Sequence, residues 1–217
     1  MKDLLIRRPL WFFIVFLPCA IAGGIVLYLI SKRELFLYIN GYHHPFFDIF
    51  FAWETWLGNG TFFIIICLLL LFRNYGNALL GMISFTFSAI FPQALKKLVF
   101  ADIVRPVKYF EGDVPLHLVE GMRHHHYFSF PSGHSTSIFA TMFFLTLIIK
   151  NPKWGALFAG IALVTAFSRV YLAQHFFSDI YAGAWLGIFS TMLAFVLFEK
   201  LIKNKTGLRK GLLKNKS

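Results

Sequence analysis

Ser168-Arg169 is followed after five residues by His175 and after three more by Asp179, at the boundary between two long apolar runs. Ionisable groups beside hydrocarbon are costly unless paired, so a cluster of them there marks a functional site. In a helical stretch His175 and Asp179 stand one turn apart on the same face. A carboxylate so placed holds the imidazole in one tautomer and stabilises it as it turns positive, which a nucleophilic or basic histidine requires. Arg169 offers a planar fork of donors suited to an oxyanion such as phosphate.

Two further groupings lie upstream. Phe130-Pro131-Ser132-Gly133-His134-Ser135 opens an apolar run. Pro131 and Gly133 shape a tight turn, and Ser132 is suited to cap the helix that follows. The uncapped N–H groups of such a helix attract anions, and His134 placed there can give a proton to a leaving oxygen. Taken alone, this is equally a polar cap with an interfacial histidine. The other grouping is Lys97, then seven residues, then Arg105-Pro106. Taken alone, it reads as basic side chains snorkelling to an interface.

Composition sets this chemistry in a membrane. The 217 residues are 58% hydrophobic and 19% aromatic, with a mean hydropathy of +0.66, beyond a soluble globular average. The net charge of +11 gathers at the ends of apolar runs. That is the pattern of topology signals and anionic head groups, and it argues against nucleic acid as a partner. Cys19 and Cys67 both lie inside apolar runs and carry no redox signal.

Apolar segments near 9–30, 59–72, 76–95, 133–149, 154–173 and 178–198 are expected to cross the bilayer as helices. The first follows Arg7 and Arg8 but continues to Ile30, too long for a signal-peptide core, and is read as an uncleaved span. The second is short. Ahead of it, Tyr42 to Trp56 mixes Trp53 and Trp56 with His43, His44, Asp48 and Glu54, as an interfacial segment would. Alternating spans put Arg7, Arg8, Arg73, Lys150, Lys153 and the tail from Lys200 to Lys216 on one side, cytoplasmic by the positive-inside tendency. The expected fold is therefore all-α: a polytopic membrane helical bundle of about six transmembrane helices with both termini cytoplasmic. One embedded domain over 1–200 precedes a basic tail over 201–217. The loop from about 96 to 132 and the turn at 174–178 then share the outer face, and all three groupings with them.

Together, Lys97…Arg105-Pro106, Pro131-Ser132-Gly133-His134 and Ser168-Arg169-x5-His175-x3-Asp179 resemble the three-part signature of the type 2 phosphatidic acid phosphatase superfamily. They occur in family order over roughly residues 90–185, and the last two match at each defining position. The gap from Lys97 to Arg-Pro is one residue longer than the family pattern. One residue turns a continuous helix by about 100°, a shift that a break after the span absorbs. Lys97 is thus the expected phosphate-binding lysine; Lys96 fits the spacing less well.

The resemblance implies that His175 attacks phosphorus to form a phosphohistidine, with Asp179 orienting it. His134 would protonate the leaving oxygen and then activate water. Lys97, Arg105, Arg169, the Ser132 hydroxyl and the Gly133 N–H would surround the phosphoryl oxygens, the electrostatic role that dominates phosphoryl transfer. Ser168 would support Arg169. The implied activity is hydrolysis of a lipid phosphate or diphosphate, with no metal or cofactor and with release of inorganic phosphate. Undecaprenyl pyrophosphate, lipid A phosphate and phosphatidylglycerophosphate are the substrate classes, at the outer face of a bacterial cytoplasmic membrane. Lipid phosphate and membrane lipids are the expected partners. A phosphotransferase passing the group to another lipid or sugar is one alternative. A non-catalytic lipid-binding or transport protein is another, which has no need of His134, His175 and Asp179 together. His124-His125-His126 is a potential metal-binding run, but no cysteine or well-placed acid completes a shell, so it is read as loop bordering the substrate path.

Overall fold

The computed structural model describes residues 9–202 together with Leu212. Arg7, Arg8 and, apart from Leu212, the tail beyond residue 202 lie outside the described residues. Among those residues the regular structure is helical and contains no strand. In chain order the helices are α1 (Leu10–Leu29), α2 (Lys32–Gly41), α3 (Pro45–Glu54), α4 (Gly60–Leu71), α5 (Tyr75–Leu98), α6 (Pro106–Tyr109), α7 (Gly133–Ile148), α8 (Trp154–Tyr171) and α9 (Phe177–Ile202). A 3₁₀ turn, Thr55–Gly58, joins α3 to α4.

Polar residues start these helices by satisfying first-turn N–H groups that have no carbonyl within the helix. Asn59 accepts from the Thr61 N–H, Asn74 from Asn77 and Ser132 from Ser135. At α2, Ser31 and Glu34 form a reciprocal capping box.

Four helices are long and apolar enough to cross a bilayer: α1, α5, α8 and α9 as far as Lys200. The α3 arm with its turn and α4 pass the same test as a pair bent by 52°. This resolves the short run at 59–72, because α4 has only 12 residues and draws on the preceding arm. The Tyr42–Trp56 stretch, expected as an interfacial segment, also packs on the bundle. Phe51 is buried against Phe167 and Tyr171 of α8, with ring centroids 5.8 and 4.7 Å away, while Trp53 and Trp56 stay exposed. Helix α7 has 16 residues and is the hub of the bundle, with every residue from Ser135 to Phe144 buried.

The other helices pack on α7 one face at a time. Along α1, Phe12, Phe16, Ala20 and Gly23 are buried, while Leu10, Ile14, Leu17, Ile21 and Ile25 are exposed. A stripe recurring at three and four residues, with apolar side chains on the far side too, is what a helix between protein and lipid needs. Phe12 and Phe16 meet Phe143 and Phe139 edge to face at 5.2 and 5.3 Å. Helix α9 approaches α7 most closely at glycines: a Cβ on Gly187 would lie 2.4 Å from the Thr136 carbonyl oxygen, and one on Gly183 2.7 Å from that of Ser132. Small residues let backbones meet in this way where lipid removes the hydrophobic drive for association. The contact fixes Asp179, one turn before Gly183, against the start of α7.

Candidate active site

The chain between α8 and α9 turns so tightly that the N–H groups of Gln174 and His175 both donate to the Arg169 carbonyl, at 2.9 and 3.1 Å. Ala173 takes a left-handed φ of 54° at this bend, a conformation costly for a residue with a Cβ and held here by the surrounding packing. The turn brings His175 back beside Arg169. Helix α9 then starts, and its first-turn Asp179 faces the imidazole: Nδ1 and Oδ2 are 3.3 Å apart, with both side chains almost fully buried. The same Oδ2 accepts from the Ser129 hydroxyl at 2.5 Å and the Phe176 N–H at 3.0 Å. With Nδ1 turned to the carboxylate, Nε2 is the ring nitrogen pointing away from it. Burial pushes the His175 imidazole down to about 3 against the pull of the Asp179 hydrogen bond, and the Arg105 and Lys96 charges push the same way as burial. The ring is therefore neutral at physiological pH, the state a nucleophilic histidine needs.

Arg105, Gly133, His134, Arg169 and His175 line one cavity of about 400 Å³. Arg105 is buried and held by loop carbonyls, donating from Nε to Tyr127 and from one terminal nitrogen to Gln174, at 3.1 and 3.2 Å. Backbone bonds from the Arg105 N–H to the His126 carbonyl and from the Ser129 N–H to the Ile103 carbonyl clamp the two ends of the loop between α5 and α7 together. Arg169 is buried too. It donates to the Thr55 hydroxyl at 2.7 Å, and its buried Nε has no partner. A buried guanidinium nitrogen without an acceptor costs free energy unless a ligand supplies one, and in this cavity an anion fits that need.

Two of the residues anticipated from the sequence are placed elsewhere. Lys97 is exposed on the far side of α5 and lines a separate surface groove with Ala89, Ile90, Gln93 and Leu98. Lys96 is buried and lines the cavity with Arg105, Arg169 and His175 instead. Helix phase decides this: α5 continues unbroken to Leu98, and the extra spacing falls in the non-helical stretch before Arg105. Ser132 is fully buried, and its hydroxyl accepts from the Ser135 N–H and hydroxyl at 3.4 and 3.1 Å, so it caps α7 behind the cavity wall. Gly133 remains at the cavity, where a Cβ would meet nothing within 4 Å. Ser168 bonds back to the Thr165 carbonyl within α8.

The histidine run splits three ways. His124 Nδ1 pairs with the Gln174 amide at 3.0 Å, His125 reaches the cavity rim, and the His126 carbonyl receives the Arg105 N–H. No group of three or more potential metal-ligating side chains gathers among the described residues. Sequence reasoning overlooked Ser129 and Thr55. Ser129 stands three residues before Ser132, and only its contact with Asp179 distinguishes it from any loop serine. Thr55 comes from a segment with no motif of its own.

The family model for the PAP2 superfamily matches residues 74–203. A lipid A 4'-phosphatase of Bacteroides thetaiotaomicron is 26% identical over 177 residues, which is 77% of this chain and 77% of that protein. Two crystal structures share the fold at 24% identity. One is LpxE of Aquifex aeolicus, with a TM-score of 0.66 over 76% of this chain and 94% of that one. The other is a transmembrane PAP2-type phosphatidylglycerolphosphate phosphatase of Bacillus subtilis, with a TM-score of 0.64 over 94% of this chain and all of that one. With the matched region spanning the five helices from α5 to α9 and two of the three motif groupings complete, this integral membrane protein belongs to the PAP2 superfamily, the type 2 phosphatidic acid phosphatases.

Proposed function

We propose that the protein hydrolyses the phosphate of a lipid through a phosphohistidine. The observation that carries this reading is the single cavity in which two histidines meet three buried cations, one of them with an unpartnered guanidinium nitrogen. His175 Nε2 attacks phosphorus and the bond to the leaving oxygen breaks, with His134 donating the proton that oxygen needs. Asp179 holds the Nδ1 proton and stabilises the positive ring. His134, now neutral, takes a proton from water as its oxygen attacks the phosphohistidine, and the P–N bond breaks to release inorganic phosphate. Lys96, Arg105, Arg169 and the Gly133 N–H neutralise the equatorial oxygens throughout. The scheme requires no metal.

Counting the bent α3–α4 pair and α7 as crossings gives six spans in one embedded unit, with both ends of the chain on the cytoplasmic side. The cavity then opens at the outer face, where a lipid presents its head group without leaving the bilayer. Two lipid A 4'-phosphatases are 26% and 27% identical over 77% and 72% of this chain, so a lipid A phosphate is the first substrate to offer, ahead of undecaprenyl pyrophosphate and phosphatidylglycerophosphate. The test is release of inorganic phosphate by purified protein from a panel of these lipids. His175→Ala should abolish it, and vanadate, which mimics five-coordinate phosphorus, should inhibit it. Undiminished cleavage by His175→Ala would refute the nucleophile. Activity lost to EDTA and restored by zinc would refute the metal-free route, and phosphate recovered on an acceptor lipid would make the protein a transferase.

A further inference from the structure

We infer that Thr55, in the break of the bent α3–α4 pair, is a positioning residue for Arg169. The inference rests on the phosphatase reading above. Residues 45–58 precede the matched family region, yet Ala52, Thr55, Trp56 and neighbouring Asn59 form one wall of the cavity. Two consecutive residues, the last of α3 and the first of the 3₁₀ turn, grip two successive turns of one face of α8. The Glu54 carboxylate accepts from the Thr165 hydroxyl, and four residues on, Arg169 donates to the Thr55 hydroxyl at 2.7 Å.

Among the described residues, Thr55 is the one hydrogen-bond partner of the Arg169 side chain. The charged side chains that line the cavity with Arg169 are Lys96, Arg105 and Arg123, with no carboxylate among them, so the charges facing the guanidinium there repel it. A long side chain in such company turns away from the cluster unless something holds it. Guanidinium donors act on a transition state only when their fork is preset to the oxyanion. The Thr55 oxygen, itself buried and fixed by the 3₁₀ turn, ties down one terminal nitrogen and leaves Nε for the phosphoryl group. The bend between α3 and α4 is what carries this hydroxyl to α8; a straight span would carry it past.

The test is a double-mutant cycle on the full chain in detergent, read as phosphate release from a lipid phosphate and, separately, as calorimetric binding of orthovanadate. Removing a whole oxyanion donor costs about 10²–10³ in rate, so misdirecting one should cost Thr55→Val about tenfold in kcat, with KM little changed. Thr55→Ser, which keeps the oxygen, should stay within about threefold. In an Arg169→Lys background Thr55→Val should cost nothing further, because the partner it orients is gone. Vanadate affinity should follow the same order. Equal activity of Thr55→Val and the unmutated protein would overturn the inference, and so would penalties that multiply in the double variant. Thr55→Ala serves the same cycle if Thr55→Val elutes as aggregate. If the unmutated protein releases no phosphate, the phosphatase reading fails, and the vanadate arm still decides Thr55.

Discussion

Replacing Lys96 and Lys97 one at a time gives the sharpest test of the site's geometry. The two neighbours are about 100° apart around α5, which turns Lys96 into the cavity and Lys97 to the surface. Lys96→Met keeps the apolar stem and removes the charge. Near a buried site, a unit charge about 4 Å from its partner interacts by roughly 4 kcal/mol at an effective dielectric constant of 20. Mutagenesis of comparable oxyanion donors gives about 2.7–4 kcal/mol, so kcat for lipid phosphate hydrolysis should fall by about 10²–10³. Stability should move the other way. Lys96 shares the cavity with Arg105 and Arg169, so losing it relieves like-charge repulsion, and the melting temperature in detergent should hold or rise. Lys97→Met removes an exposed charge and should alter both readouts by less than about 0.5 kcal/mol, or about twofold in rate. The assay is single-substrate kinetics by phosphate release beside thermal melts of the same preparations. A larger kinetic loss for Lys97→Met than for Lys96→Met would refute the placement of the lysine by helix phase.

Ser129→Ala removes the 2.5 Å hydrogen bond to the Asp179 carboxylate while leaving His175 and Asp179 in place. It should lower kcat by about tenfold with KM little changed, and an unchanged kcat would make Ser129 a bystander. The folded pKa of His175 lies below its ordinary value, at about 3, so between there and about 6.5 the unfolded chain binds the proton and the folded one does not. Stability from this group is complete above about pH 6.5 and falls by up to about 1.4 kcal/mol per pH unit below it. Melting temperatures of His175→Asn should show a flatter acid slope than those of the unmutated protein. At the α7–α9 crossing, Gly187→Ala puts a methyl 2.4 Å from the Thr136 carbonyl oxygen and 2.9 Å from the Ala140 nitrogen, both backbone atoms that cannot step aside. It should cost about 1–3 kcal/mol in thermal stability, and a melting temperature equal to that of the unmutated protein would show that the helices separate freely.

Much of the architecture is written in the chain's composition and periodicity. Long apolar runs ending in basic residues specify membrane helices, since backbone polar groups within hydrocarbon must bond to one another. Where a motif is compact, sequence also specifies the site. Arg169, His175 and Asp179 lie within one helix end, one turn and one helix start, so local hydrogen bonding alone brings them together. Gly133 and His134 follow as directly from the start of α7. Three placements needed the tertiary structure. Lys96 displaced Lys97 because residue counts across a break carry no angular phase, whereas a continuous helix keeps its phase to the last turn. Ser132 left the cavity because its oxygen is engaged in capping α7. Ser129 and Thr55 reached Asp179 and Arg169 across 50 and 114 positions of sequence. The spacing of residues fixes what lies within one helical turn; contacts between distant segments depend on how helices bend and cross, and only the folded bundle sets that.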